Sequence, residues 1–351
     1  MRFLLAVLCC ASTTIAADPP FYADKTNLLT FKDEAGKDYP ITTPEQWATR
    51  REHILANMQR VMGPLPDRSK LVPLEPQLIS EEDLGTYTRQ KLTIAVEKGD
   101  RLPCYLLIPK KREKKTPAIL CLHPTSLPLG KGIPTGFGDK ADRHYAIHLV
   151  ERGYVTLSPD YVNMGEYKFD AYKAGYASAT MKGIWNHMRC IDYLQSLDFV
   201  DGERLGVIGH SLGGHNSIFL GVFDERVKCI VSNCGFCSFP TYMKGNLTGW
   251  SHNGYMPRIK SEYGLRPEKM PWDFTEAVAT LAPRPFLASA PIKDDNFDVQ
   301  GVKDCVKAAQ PVYDLLGAKE KLQGIYPEGT HEFPEASRKA AYEMFDRYLK
   351  R

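Results

Sequence analysis

Apolar and polar positions along this chain change rhythm once. Residues 88–109 alternate and turn at Lys98-Gly99-Asp100, the pattern of an antiparallel hairpin. Beyond them, compact apolar runs alternate with segments of helical periodicity. Strands are expected at 118–123, 154–158, 205–209, 227–232, 285–290 and 321–326. Helices are expected at 141–152, 177–197, from 211 to about 220, at 302–316 and at 334–349. Such alternation implies an α/β chain whose sheet is mostly parallel and carries helices on both faces.

Upstream of this region, Thr43-Pro44-Glu45-Gln46 reads as a helix start, with Thr as N-cap, Pro at the first helical position and Gln three residues after the cap. Trp47, Ile54, Met58 and Val61 give that helix one apolar face, and Gly63-Pro64 ends it. The piece is too short for its own core, so it is expected to pack on the main body. The first 17 residues have the layout of a secretory signal: a basic start at Arg2, an apolar stretch over 3–11, and small residues at Ala16-Ala17. The expected organisation is a signal at 1–17, a helical extension at 18–87, and an α/β domain at 88–351. Residues 238–276, where the strand–helix rhythm lapses, are expected to form a small cap insertion.

The 351 residues are 43% hydrophobic and 25% charged, enough to bury one large core. A formal net charge of +3 gives no reason to expect nucleic acid or an acidic membrane as partner. After the signal no segment is apolar for long enough to cross a bilayer, so the mature chain is expected to be soluble and secreted or periplasmic. The basic run over 110–115 reads as a solvated turn between strands. Seven cysteines follow the signal, an odd number that does not suggest a disulfide scaffold. Cys234-Gly-Phe-Cys237 has a redox or half-metal spacing, but no second pair or histidine cluster completes a site, so neither metal nor organic cofactor is expected.

The strongest chemical signal is Gly209-His210-Ser211-Leu212-Gly213, which fits G-x-S-x-G and is followed by Gly214. It lies between an apolar strand and a helix, the context of a nucleophile elbow, where a serine occupies a tight strained turn and glycines leave room around it. Acid and histidine partners then follow the serine in chain order. Of the histidines beyond Ser211, His215 is expected beneath the elbow and His252 lies in an irregular stretch. His331 falls between the last strand and last helix, where a general base is presented. The loop after the penultimate strand offers Asp294, Asp295 and Asp298 as the acid, in that order of preference, the others being free to cap the next helix. The backbone N–H of Leu212 supplies one oxyanion donor. The loop His123-Pro124-Thr125 supplies the other, and Thr125 is its first residue with an amide proton after the proline.

From His123 onward, about two-thirds of the chain resembles the dienelactone hydrolase, acetyl xylan esterase and prolyl oligopeptidase-type branch of the α/β-hydrolase superfamily. The resemblance rests on the His123-Pro124-Thr125 loop, the 209–214 elbow, the 294–297 loop and Gly329-Thr330-His331. The chain departs from that branch at Pro124, where His-Gly is common, and at Ser158-Pro159-Asp160-Tyr161, which lacks an Arg-Gly. The resemblance implies a triad of Ser211, Asp294 and His331 acting on an ester or amide. Twelve aromatic residues within 161–176 and 238–276 would either line a cleft suited to sugar rings or pack the cap onto the body. The expected function is a secreted serine hydrolase cleaving carboxylic esters through an acyl-enzyme, its substrate a small-molecule or polysaccharide ester of the acetyl xylan kind. One alternative is a prolyl oligopeptidase-type serine peptidase; those carry a large propeller or β domain first, whereas fewer than a hundred residues precede the sheet here. A second is a non-catalytic binding protein of the same fold, which commonly lacks a triad member.

Overall fold

A computed structural model describes residues 18–350. The expected signal at 1–17 lies outside them. A two-stranded antiparallel ribbon, β1 (Thr30–Lys32) and β2 (Asp38–Pro40), precedes α1 (Pro44–Met62). Thr43 and Gln46 close a reciprocal capping box at the start of α1, a feature that stabilises a helix by about 1 kcal/mol. Strands β3 (Gln77–Asp83), β4 (Tyr87–Glu97), β5 (Asp100–Pro109) and β6 (Thr116–Leu122) follow. Then come α2 (Tyr145–Glu151), β7 (Val155–Pro159), α3 (Ala179–Ser196), β8 (Val200–His210), α4 (Leu212–Phe223) and β9 (Val227–Asn233). After the short α5 (Arg258–Ser261) and α6 (Phe274–Ala279), the chain finishes with β10 (Phe286–Ser289), α7 (Val299–Leu315), β11 (Leu322–Ile325) and α8 (Glu335–Leu349).

Nine strands form one sheet in the order β11-β10-β9-β8-β6-β7-β5-β4-β3. The six from β11 to β7 are parallel, and β5, β4 and β3 add antiparallel at one edge. Alternate residues of β6 serve opposite faces. Leu120 and Leu122 join the larger core with α1, α3 and α4, while Ile119 and Cys121 join a smaller core with α2 and α8. This is the α/β-hydrolase architecture.

Two local readings change. Strand β3 takes residues from within the expected 18–87 extension into the main sheet. Its sequence QLISEED carries no alternating apolar signal because every residue in it is exposed. The expected helix over 141–152 is a 3₁₀ turn at Ala141–Arg143 followed by α2. Residues 238–276 contain no strand; two 3₁₀ turns precede α5, and one at Pro267–Lys269 joins α5 to α6. The extension is fastened to α6 by Arg50, whose guanidinium pairs with Glu276 while both side chains are buried.

Candidate active site

Strand β8 ends at His210 and α4 begins at Leu212, so Ser211 alone makes the turn between them. Its backbone sits at φ 56° and ψ −117°, a conformation costing a non-glycine residue about 1–3 kcal/mol and kept where the surroundings enforce it. The glycines two residues either side let the turn close this tightly. A Cβ at Gly209 would overlap the carbonyl of Gly213, and a Cβ at Gly213 would overlap the carbonyl of Leu122 at the end of β6. The serine N–H donates to Asn233 O at 2.9 Å, fixing the turn against β9.

The loop between β11 and α8 delivers His331, with Nε2 2.9 Å from Ser211 Oγ. On the other side of the ring, Nδ1 lies 3.0 Å from each carboxylate oxygen of Asp294. Nδ1–H therefore faces the carboxylate, leaving Nε2 to accept from the serine hydroxyl. Asp294 Oδ1 also accepts the N–H groups of Asn296 at 2.9 Å and Phe297 at 3.2 Å. Burial alone would raise the Asp294 pKa; the bond from His331, its charge and these two amides outweigh burial and hold the carboxyl below the ordinary 3.8. Of the competing carboxylates, Asp295 is exposed, and Asp298 caps α7 by accepting from Gln300 N. Arg143, after β6, donates to His331 O at 3.2 Å. The arrangement can move a proton from Ser211 to His331 while the carboxylate supports the imidazolium that forms.

The Leu212 N–H is the first of α4 and has no partner within the helix. Thr125 follows β6, which pairs with β8 through Leu122 and Gly209. Its backbone N–H has no hydrogen-bond partner among the described residues, and its hydroxyl lies 3.4 Å from Tyr255 OH. The turn before it is fixed by His123, whose Nδ1–H donates to Pro124 O at 2.7 Å while Nε2 accepts from Tyr161 N at 2.9 Å. Asp160, after β7, ties the same region further. Its buried carboxylate pairs with Lys131 Nζ at 2.8 Å and accepts the Lys131 and Glu166 amides. Thr125 also stands at the wall of a cleft of about 790 Å³ with Asn163, Lys168, Phe169, Tyr172 and Asn253.

The aromatic residues divide between the two readings. Phe239, Trp250, Trp272 and Phe274 are buried against one another within residues 238–276. Tyr161 and Tyr167 are buried too, so the cleft keeps only Phe169 and Tyr172 of those expected. His215 is buried between α4 and the insertion, its ring 4.8 Å from Trp250. Three neighbours of the triad escaped the sequence reading: His210, Asn233 and Cys234. His210 is visible only as the variable position of the elbow motif, and Cys234 only as half of Cys234-Gly-Phe-Cys237. All seven cysteines among the described residues are free and buried. One ligating atom from each of Cys234, Asp294 and His331 lies within 4.8 Å of the others, the one such set among the described residues that could hold a metal. There Asp294 and His331 already satisfy each other, and burial followed by the Asp294 charge pushes the Cys234 thiol up, keeping it protonated.

Comparison with known proteins bears on the family and the fold. Residues 141–351 match the prolyl oligopeptidase family. A 4-O-methyl-glucuronoyl methylesterase of Wolfiporia cocos is 24% identical over 332 residues, covering 88% of this chain and 78% of that one. The solved glucuronoyl esterase from Solibacter usitatus superposes with a TM-score of 0.73 at 22% identity, covering 93% of this chain and 98% of the other. A glucuronoyl esterase from Caldicellulosiruptor kristjansonii gives 0.66 at 17% identity, covering 90% and 88%. With the family match spanning the elbow, the Asp294 loop and the His331 loop, this chain belongs to the prolyl oligopeptidase family of the α/β-hydrolase superfamily.

Proposed function

We propose that the protein is an exported serine esterase that cleaves carboxylic esters of carbohydrates. The observation that carries the reading is the unbroken hydrogen-bond line from Ser211 Oγ through His331 to Asp294, with spacings of 2.9 and 3.0 Å. Ser211 attacks the ester carbonyl as His331 Nε2 takes its proton, and the oxyanion is met by the N–H groups of Leu212 and Thr125. The alcohol leaves with the proton from His331, and water attacks the acyl-serine by the same base. No step draws on a metal or an organic cofactor.

The carbohydrate part rests on similarity spanning most of this chain and of two glucuronoyl esterases. The cleft beside Thr125 suits it, because Phe169 and Tyr172 offer ring faces while Asn163, Lys168 and Asn253 offer polar groups. Export rests on the charge and hydropathy pattern of residues 1–17.

The test is turnover of p-nitrophenyl acetate, a glucuronoyl methyl ester, acetylated xylan and a prolyl peptide amide by the mature protein and by Ser211→Ala. Ester turnover that Ser211→Ala abolishes supports the reading. Cleavage of the peptide with no ester turnover overturns it in favour of a peptidase. Inertness toward all four, with no labelling by a fluorophosphonate, overturns catalysis at Ser211 altogether.

A further inference from the structure

The residue before Ser211 and the residue after His331 meet on a single side chain. Asn233, at the end of β9, is fully buried. Its Nδ2 donates to His210 Nδ1 at 2.7 Å and to Glu332 O at 2.9 Å. Ser289 Oγ donates to its Oδ1 at 2.6 Å and itself lies 2.7 Å from Ser337 Oγ of α8.

These contacts fix the direction of every bond. A carbonyl only accepts, so the atom facing Glu332 O is the amide nitrogen, and Oδ1 faces the serine hydroxyl. His210 Nδ1 then accepts, and the ring proton sits on Nε2, which is buried without a partner. The His210 ring is 4.9 Å from that of His331 and has Phe333 stacked at 6.4 Å. A second proton on His210 would point at the amide hydrogens of Asn233, so the carboxamide also keeps this ring neutral beside the base. Burial, then His331, Arg143 and Lys140, act in the same direction, against a smaller opposing pull from the Asn233 backbone. A buried N–H left unpaired is a destabilising feature seldom retained without a role.

We infer that Asn233 is a positioning residue: its carboxamide bridges His210 and the Glu332 carbonyl and thereby sets the distance between Ser211 and His331. The inference rests on the serine esterase reading. Neither His210 nor Asn233 touches the substrate; both act through the residues next to them in the chain.

The experiment compares Asn233→Ala, Asn233→Asp, His210→Gln and His210→Leu with the wild type. It measures kcat and KM on p-nitrophenyl acetate, the rate of Ser211 labelling by a fluorophosphonate, and the melting temperature. Both Asn233 variants are expected to lose about 10²-fold in kcat and in labelling rate, the loss that a displacement of ~1 Å inflicts, with KM little changed. His210→Gln keeps an amide oxygen to accept from Asn233 and is expected to work nearly as the wild type, whereas His210→Leu loses at least tenfold even where it melts no lower. Wild-type labelling rates in Asn233→Ala, or equal activities of the Gln and Leu variants, overturn the inference. If Asn233→Ala does not fold, the Gln–Leu contrast decides. A wild type that the probe does not label overturns the esterase reading first, and this inference with it.

Discussion

At Asp294 and Asp295, adjacent carboxylates have opposite surroundings. Asp294 receives three N–H groups and is shielded from water; Asp295 is exposed. Amidation of a triad acid leaves geometry intact but presents the wrong partner to the histidine, so Asp294→Asn is expected to lower kcat about 10⁴-fold, while Asp295→Asn stays near wild type. Steady-state assays of the two variants check this, and equal losses would sink the assignment. The sequence could rank these residues but not choose, because the choice depends on how the chain turns between Pro291 and Phe297. The elbow was legible because its demands are local: Gly209 and Gly213 are required by atoms within a few residues or on the adjoining strand. Asn233 was invisible for the opposite reason, since its partners stand 23, 56 and 99 positions away.

Among the elements, those with an apolar face were readable and those without were not. Helices α1 and α8 and the central strands carry their burial pattern in the sequence, whereas β3, with all seven residues exposed, leaves no such trace. The same contrast governs how α1 is fastened. The Arg50–Glu276 pair joins α1 to α6 with side chains 0% and 1% exposed, and the guanidinium lies over the Tyr22 ring. Removing one partner leaves a charge in the core, so Arg50→Ala is expected to cost about 3–5 kcal/mol. Arg266→Ala breaks a pair exposed by 57% and 60%, and should cost no more than about 1 kcal/mol. Urea denaturation separates the two, and similar midpoints would show that the buried pair is not what fastens α1.

For the whole molecule, buried histidines set the response to acid. Burial lowers the pKa of His187 and of His215 from 6.5 to about 3 in each case. Below pH 6.5 an unfolded chain takes up protons at both rings that the folded chain refuses, so stability falls as pH drops from about 6.5 towards 3. Each ring contributes up to about 1.4 kcal/mol per pH unit across that window. Asp294, held below 3.8, adds stability that is complete above that value and is lost only at lower pH. Urea midpoints between pH 8 and 4 are expected to decline from near 6.5, and His187→Gln to flatten the decline. Midpoints level down to pH 4.5 would contradict it.

The open rim of the sheet bears on how the protein behaves in concentrated solution. Strand β3 leaves one flank of its backbone unpaired and carries Leu78 and Ile79 at 60% and 57% exposure, the ingredients for zipping onto another copy. The same strand continues as Glu81-Glu82-Asp83, with Glu82 paired to Arg89 and Asp83 to Lys110, so two such rims laid side by side in parallel would bring these charged groups together. This guard is electrostatic and lies in solvent, so added salt, which screens exposed charges, makes the molecules stickier.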